Sequence, residues 1–141
     1  MAQVERTETF DASLEDIFSV IEDFESYPDF VDGVEKIEII KKTKKTVKAK
    51  YYLNLIKKFE YTINVKIEKP TKVSWSLDSG DLFKENNGFW ELEEVSKKKT
   101  KVTYAAEVNF KVFAPKMIVN KLVKKSLPQM MKAFHERAKK K

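Results

Sequence analysis

The spacing of hydrophobic residues along the chain begins with a helical period. Residues 3–10 form a polar run that tolerates a strand, and Ser13 is placed to cap the helix that follows. Apolar residues then recur at intervals of three and four, at Leu14, Ile17, Phe18, Ile21 and Phe24. This pattern predicts one strand followed by a short helix with a single buried face.

A proline and a glycine end this helical start. Tyr27-Pro28 must break the helix, because proline disfavours helical dihedrals in the residue before it. Phe30-Val31 then forms a second apolar turn ahead of Gly33. We therefore expect two short helices between the first strand and the rest of the chain.

From Val34 onward the hydrophobic period is two, which predicts a meander of antiparallel strands rather than crossover units. One strand places Val47, Ala49, Tyr51, Leu53 and Leu55 on a common face, and the next places Phe59, Tyr61, Ile63, Val65 and Ile67. Later strands continue with Val73, Trp75, Leu77, Trp90, Leu92, Val102, Tyr104, Ala106, Val108 and Phe110. One face of the predicted sheet is therefore apolar and rich in aromatic rings.

The last part of the chain returns to a helical period. Pro115 suits the first turn of a helix, and Pro128 should kink that helix without breaking it. The apolar side of this helix holds Val119, Leu122, Val123, Met130, Ala133 and Phe134, and the opposite side holds Lys121, Lys124, Lys125, Lys132 and Lys139. The helix is long enough to cover the apolar face of the sheet.

This order of elements predicts an α+β fold in a single domain over residues 1–141. An antiparallel sheet of about six or seven strands would curve around the long C-terminal helix, with two short helices after the first strand. A single helix about 10 Å across does not fill a wide, curved sheet. We therefore expect an apolar cavity, open at one end, between the sheet and the helix.

Composition excludes several kinds of chemistry. The 141 residues are 42% hydrophobic and 35% charged, with no cysteine and one histidine, His135. Disulfides, thiolate metal sites and cysteine nucleophiles are therefore excluded. No apolar run reaches the roughly 18 residues of a membrane span, and the start lacks the pattern of a signal peptide. We expect a cytoplasmic protein without a cofactor or a metal ion.

The net charge of +6 is unevenly distributed. Residues 1–40 carry a net −10, residues 41–110 a net +7 and residues 111–141 a net +9. Of the 28 basic residues, 26 are lysine, and only Arg6 and Arg137 are arginine. Because proteins that recognise bases favour arginine, we expect no sequence-specific nucleic-acid binding. We expect the protein to be a monomer.

Three segments resemble the START-like (SRPBCC) superfamily, which has the helix-grip fold. They are Glu5-Arg6-Thr7 with Asp23-Phe24-Glu25-Ser26-Tyr27-Pro28-Asp29-Phe30, the hairpin with Gly80, Phe83, Lys84, Gly88 and Trp90, and Met131-Lys132-Ala133-Phe134-His135-Glu136-Arg137-Ala138. The chain is most similar to the polyketide cyclase and coenzyme Q-binding branch, which includes the RatA toxin. The hairpin differs from the pattern of that branch. Asp81-Leu82 replaces a lone proline, and Asn86-Asn87 stands where the pattern has an apolar residue.

The resemblance implies alternative functions. The coenzyme Q-binding branch implies binding or transport of a polyprenyl quinone, lipid or similar hydrophobic molecule, which is our leading hypothesis. The RatA branch implies a translation regulator at the large ribosomal subunit. A polyketide cyclase or aromatase is a weaker alternative.

The predicted ligand-binding residues lie on the apolar faces of the sheet and the last helix, or near the mouth of the cavity between them. They are Phe30, Val31, Tyr51, Leu53, Phe59, Tyr61, Trp75, Phe83, Trp90, Tyr104, Leu122, Met130, Phe134 and Arg137. The same rings also suit a filled core. Phe30 and Val31 are candidates for a movable gate, and Arg137 for a ligand head-group contact or a salt bridge to the acidic N-terminal helices.

Catalysis has little support from the residues. His135 falls on the lysine side of the last helix, where it is expected at the surface, so no Ser-His-Asp arrangement is predicted. The acidic residues Glu22, Asp23, Glu25, Asp29 and Asp32 are expected to form a solvated rim rather than a cation site. A partner surface of Lys121, Lys124, Lys125 and Lys132 suits transient contact with an anionic membrane or a ribosome, and ordinary solvation is the structural explanation that starts ahead of both.

Overall fold

The computed structural model describes residues 2–54, 58–111 and 122–141, with the backbone alone for Ala2, Leu122 and Val123. The strands are β1 (Ala2–Phe10), β2 (Val34–Lys42), β3 (Thr46–Asn54), β4 (Lys58–Glu68), β5 (Lys72–Gly80), β6 (Phe83–Ser96) and β7 (Lys99–Phe110). The helices are α1 (Leu14–Glu22), a 3₁₀ helix (Phe24–Asp29), a π-helical turn (Leu122–Ser126) and α2 (Leu127–Lys139). The predicted order of elements is confirmed over these residues.

The strands form one seven-stranded sheet in the order β1-β7-β6-β5-β4-β3-β2. Every pair of neighbours is antiparallel, as the period of two predicts. Strands β2 to β7 form a meander, and β1 joins its far edge by pairing Ala2 with Val108 and Phe10 with Thr100. Register shifts interrupt the ladders, as between Phe83 and Glu85, and irregularities of this kind bend and twist a sheet.

Helix α1 follows the sequence prediction at its start and ends earlier than predicted. The Ser13 hydroxyl accepts a hydrogen bond from the main-chain N–H of Asp16 at 3.2 Å, which confirms the predicted cap. The helix ends at Glu22, and Phe24 begins the 3₁₀ helix. The buried face of α1 consists of Leu14, Ile17, Phe18, Val20 and Ile21.

The second short helix lies earlier in the chain than predicted. Tyr27-Pro28 does not break a helix but lies inside the 3₁₀ helix, and Phe30-Val31 follows it. The fixed φ of proline is compatible with 3₁₀ geometry. Tyr27 is also anchored, because its ring is buried and its hydroxyl donates a hydrogen bond to the Ile21 carbonyl at 2.5 Å. This tertiary anchoring explains why the sequence pattern alone misplaced the element.

The C-terminal helix changes form where the sequence predicts a kink. A π-helical turn precedes α2, and Pro128 lies in the first turn of α2, where its missing N–H removes little hydrogen bonding. Helix α2 buries Leu127, Met131, Phe134 and Ala138. The predictions for Leu55, Pro115, Val119 and Lys121 lie outside the described residues. No helix in the described ranges is long and apolar enough to cross a membrane.

Candidate functional site

Two adjoining cavities lie between the sheet and the C-terminal helix. The inner cavity has a volume of about 150 Å³ and is lined by Phe24, Tyr27, Val31, Val34, Tyr51, Tyr61, Ile63, Val65, Val73, Trp75, Asn86, Trp90, Tyr104, Met130 and Phe134. The outer cavity measures about 770 Å³ and is lined by Val4, Phe30, Val31, Asp32, Gly33, Asn54, Tyr61, Phe83, Asn86, Tyr104, Ala106, Val108, Phe110, Lys125, Ser126, Leu127, Gln129, Met130 and Ala133. The residues common to both are Val31, Tyr61, Asn86, Tyr104 and Met130, which we call the passage.

The sheet side of the inner cavity is built by cross-strand neighbours. Tyr51 of β3 lies opposite Tyr61 of β4, and the two rings stack with centroids 5.0 Å apart. Trp90 of β6 lies opposite Tyr104 of β7 with centroids 4.8 Å apart. Because alternate residues of a strand share a face, the period of two that forms the sheet also collects these rings on one wall.

Gly88 makes room for Trp75 on this wall. The two residues are opposite each other in the β5–β6 ladder. A β-carbon on Gly88 would lie 2.7 Å from Cζ2 of Trp75 and 2.2 Å from the Ala105 carbonyl oxygen, so any larger residue would displace the indole or the neighbouring strand. With glycine there, Trp75 Nε1 donates a hydrogen bond to Oδ1 of Asn86 at 3.0 Å.

Phe134 closes the inner cavity from the helix side. Its ring centroid lies 4.8 Å from that of Trp90, 5.2 Å from that of Tyr27 and 5.1 Å from that of Phe30. One side chain of α2 thus contacts the sheet, the 3₁₀ helix and the segment that follows it. These contacts fix the distance between helix and sheet, and so the depth of the cavity.

The inner cavity contains few polar groups, and most are tyrosine hydroxyls. Burial raises the pKa of Tyr51 well above its ordinary value, and it also raises the pKa of Tyr61 and Tyr104. These three side chains have no hydrogen-bond partner among the described residues. The pKa of Tyr27 is raised in the same way, mainly by burial and further by nearby Tyr104 and Asp23. All four hydroxyls therefore keep their protons at neutral pH.

Most of the predicted ligand-binding residues line one of the two cavities. Tyr51, Trp75, Trp90 and Phe134 line the inner cavity, Phe30 and Phe83 line the outer one, and Val31, Tyr61, Tyr104 and Met130 line both. Leu53 is buried in the core and Phe59 packs against it, and neither is among the residues that line these cavities. The side chain of Leu122 lies outside the described part.

Arg137 lies beside the cavities rather than in their lining. Its guanidinium is 3.8 Å from the carboxylate of Asp29, at the end of the 3₁₀ helix, and this contact confirms the predicted salt bridge to the N-terminal helices. The same group lies over the ring of Phe30, 4.9 Å from its centroid. Arg137 thus holds the segment at which the gate is predicted.

His135 is less exposed than the predicted surface position implies. Its side chain is 19% exposed, and its ring stacks on that of Phe10 with centroids 4.5 Å apart and planes 3° apart. Its Nε2 accepts a hydrogen bond from the main-chain N–H of Asp11 at 2.9 Å. The helical wheel missed this position because it records angles along one helix and does not show that the end of β1 packs beside α2.

The charged residues lie outside the inner cavity. Lys124, Lys125 and Lys132 are exposed, and Lys125 also lines the outer cavity, whose described lining includes one acidic residue, Asp32. Within the described ranges, no group of three or more acidic or histidine side chains is arranged to hold a metal ion. The charged groups therefore lie outside the inner cavity, and Lys125 and Asp32 border the outer one.

Asn86 lines both cavities but is not among the ligand-binding residues predicted from the sequence. Asn86, Gly88, Trp90 and Leu92 share the parity of β6, so the alternation already predicted an inward position for the asparagine. Tyr27 was also missed, because the sequence places it at a helix break rather than in a packed 3₁₀ helix. A polar residue in phase with buried aromatic residues is the signal that would have identified Asn86.

Comparisons with known proteins agree with this geometry. A family model described as polyketide cyclase/dehydrase and lipid transport matches residues 10–135. The chain is similar to the Zhui aromatase/cyclase from Streptomyces sp. R1128, with a TM-score of 0.86 and 13% identity over 99% of this chain and 94% of that one. It is also similar to a START superfamily protein from Mycobacterium smegmatis, with a TM-score of 0.85 and 20% identity over 98% and 97% of the two chains.

A third similar structure is human STARD10, with a TM-score of 0.82 and 17% identity. The alignment covers 98% of this chain and 63% of that one. No curated protein sequence gives a match. Together the structural likenesses confirm the START-like helix-grip fold.

Proposed function

The chain belongs to the polyketide cyclase/dehydrase and lipid transport family, and on that basis we propose that it binds and carries a hydrophobic small molecule without altering it chemically. The observation that carries the proposal is the pair of adjoining cavities, about 150 Å³ and 770 Å³ in volume, between the sheet and α2. Small-molecule sites are typically concave and mostly apolar, with a few polar groups that fix the orientation of the ligand. The aromatic rings on the sheet side of the inner cavity supply the apolar surface, and the passage supplies a few polar groups.

The titratable groups of the inner cavity support binding without catalysis. The fold also accommodates chemistry, since Zhui is an aromatase/cyclase. A general base needs a pKa near the working pH. The inner cavity is lined instead by tyrosines whose pKa is raised by burial, so they act as hydrogen-bonding groups at neutral pH rather than as bases. We therefore infer that a bound molecule leaves unchanged.

The exposed lysines support delivery at an anionic membrane. Lys124 and Lys125 lie in the π-helical turn and Lys132 in α2, on the element that covers the cavities. Lysines near an anionic bilayer attract its headgroups and bring the cavity close to the donor lipid. Docking on the large ribosomal subunit would use the same lysines and is the alternative to delivery at a membrane.

Solvent extraction of the purified protein followed by mass spectrometry tests the binding function. An apolar molecule should be recovered, and added apolar ligands should change the emission of Trp75 and Trp90, which both line the inner cavity. Incubation with the recovered compound should return it unchanged. Recovery of no apolar molecule together with unchanged emission would refute binding, and a dehydrated or cyclised product would refute the absence of catalysis.

A variant that narrows the passage gives a sharper test of where the ligand lies. Val31 lines both cavities, so Val31→Phe should lower the affinity for an apolar ligand about tenfold or more. Val95→Phe is the matched control, because Val95 is 61% exposed on the far part of β6. Equal affinities of the two variants would place the ligand outside these cavities.

Vesicle experiments test the delivery step. Transfer of bound ligand to anionic vesicles should be faster than transfer to neutral ones, and the double variant Lys124→Glu and Lys132→Glu should abolish the difference. Lys97→Glu, in the exposed β6–β7 turn, is the control and should leave it intact. Cosedimentation with large ribosomal subunits that the double variant abolishes, without any preference for anionic vesicles, would favour the ribosomal alternative instead.

A further inference from the structure

Asn86 places at the passage between the two cavities a hydrogen-bond donor that has no partner among the described residues. The residue is 8% exposed, and its Oδ1 accepts a hydrogen bond from Trp75 Nε1 at 3.0 Å. Because an indole N–H only donates, this bond fixes which end of the amide faces Trp75 and turns the NH₂ group of Asn86 away from it. The orientation of the amide is thus set by a neighbour and not by a ligand.

The NH₂ group of Asn86 faces cavity space. It has no hydrogen bond to any described residue. Among the described residues, every fully buried side-chain nitrogen or oxygen has a hydrogen-bond partner. The unpaired Nδ2 is therefore accessible, and the accessible space beside Asn86 is that of the two cavities it lines.

The other polar groups of the passage are the hydroxyls of Tyr61 and Tyr104. An amide NH₂ group only donates, whereas a protonated hydroxyl donates or accepts. On the remaining sides, Val31 and Met130 supply apolar surface. A ligand group that accepts hydrogen bonds is therefore satisfied here, and a purely hydrocarbon ligand leaves the Asn86 donor unpaired in apolar surroundings.

The size of the inner cavity limits what lies beyond the passage. A dry apolar cavity of about 150 Å³ accommodates one benzene ring. The inner cavity has this volume, and the outer cavity of about 770 Å³ leaves room for a much larger apolar body. The two volumes therefore suit a molecule with a compact end and a bulky end.

We propose that Asn86 selects ligands whose compact end is a single ring bearing a carbonyl oxygen, which accepts a hydrogen bond from Nδ2 while the apolar body lies in the outer cavity. This inference rests on the proposed binding function and narrows its ligand class. A flexible acyl chain loses more conformational freedom than a rigid ring when it is confined in the inner cavity.

A matched pair of probes tests the proposal: a heptyl-substituted cyclohexanone and heptylcyclohexane, each measured by displacement of a fluorescent apolar dye. The two probes differ only in that the ketone has a carbonyl group where the hydrocarbon has a ring methylene. The ketone should bind the unmodified protein about tenfold more tightly than the hydrocarbon, which is the gain typical of one well-placed hydrogen bond. Heptanoic acid should bind more weakly than the ketone.

Two substitutions then assign the preference to Nδ2. Asn86→Asp keeps an oxygen for Trp75 Nε1 but replaces the NH₂ group, and Asn86→Leu removes both groups. Each should bring the ratio of the two affinities close to one, whereas Asn87→Asp, at the exposed neighbouring position, should leave it unchanged. Near-ultraviolet circular dichroism verifies that Asn86→Asp remains folded.

The outcomes separate this inference from the proposed function. Equal binding of ketone and hydrocarbon to the unmodified protein, or a preference that persists in Asn86→Asp, overturns the role of Asn86 and leaves ligand binding intact. Failure of the dye and of both probes to bind overturns the proposed function, and the inference with it.

Discussion

The guanidinium of Arg137 lies over the ring of Phe30, 4.9 Å from its centroid, and is 3.8 Å from the carboxylate of Asp29. Two consecutive residues beside the outer cavity are thus held by one cation from α2. Each interaction is weak, because the Arg137 side chain is 37% exposed and partly exposed pairs contribute about 1 kcal/mol or less. A weak contact of this kind suits the predicted gate at Phe30 and Val31.

Replacing Arg137 should therefore alter ligand exchange more than stability. We expect Arg137→Ala to lower the free energy of unfolding by about 1 kcal/mol or less. The same variant should increase the association and dissociation rates of an apolar ligand together, with little change in affinity. Stopped-flow fluorescence measures both rates. Lys139→Ala, which removes another cation of α2 away from Phe30, is the control, and equal rates in the two variants would contradict the gate.

His135 should contribute to stability through two separate contacts. His135→Ala removes the stacking on Phe10 and the acceptor for the Asp11 N–H, and we expect it to lower the free energy of unfolding by about 1–3 kcal/mol. His135→Phe keeps a ring and loses only the acceptor, so its effect should be smaller. Urea unfolding of the two variants checks the order. An unchanged free energy of unfolding in His135→Ala would show that these two contacts do not contribute to stability.

Gly88 should tolerate no larger residue. The β-carbon of Gly88→Ala would lie 2.2 Å from the Ala105 carbonyl oxygen, and relieving such a clash typically destabilises a protein by about 1–3 kcal/mol. The displaced indole of Trp75 should also change the near-ultraviolet circular dichroism. Asn87→Ala, at the next and exposed position, is the control. If Gly88→Ala unfolds at the same urea concentration as the unmodified protein, the close packing of Trp75 against Gly88 does not contribute to stability.

The buried tyrosines should make the protein sensitive to alkali. The unfolded chain loses tyrosine protons near pH 10, whereas burial raises the pKa of Tyr51 well above that value in the folded state. Stability from this group is therefore complete below pH 10 and falls as the pH rises beyond it, by about 1.4 kcal/mol per pH unit. Tyr51→Phe should reduce the alkaline slope by that amount. A slope unchanged from that of the unmodified protein would contradict the buried, protonated state of Tyr51.

The sequence predicted the elements better than it predicted their contacts. The period of two from Val34 onward gave the antiparallel strands, and the cross-strand pairing of Trp90 with Tyr104 follows from it. Periodicity describes one element at a time, however. It did not show that Tyr27 is anchored within a 3₁₀ helix, or that the end of β1 brings Phe10 beside His135. These contacts join residues that are distant in sequence, and only tertiary packing determines them.

The sequence also predicted the candidate site only in part. Residues on the apolar face of the sheet, such as Trp75 and Tyr61, were placed in the lining by parity alone. Asn86 was missed because its polarity outweighed its parity, although both facts are visible in the sequence. The division into two cavities was not predictable, since the passage brings together side chains from elements that are distant in sequence.

The place of β1 in the sheet bears on the tendency of the protein to self-associate. Without β1, the free edge of the sheet would be β7, whose ladder positions include Val102, Tyr104 and Val108. β1 covers that edge and presents exposed Glu5 and Arg6, and charged edge strands discourage pairing with a second chain. Deleting residues 2–9 should therefore cause aggregation, detected by light scattering, and a peptide of the deleted sequence should suppress it. The polar strand β1 thus protects the edge of the more apolar strand β7 from pairing with a second chain.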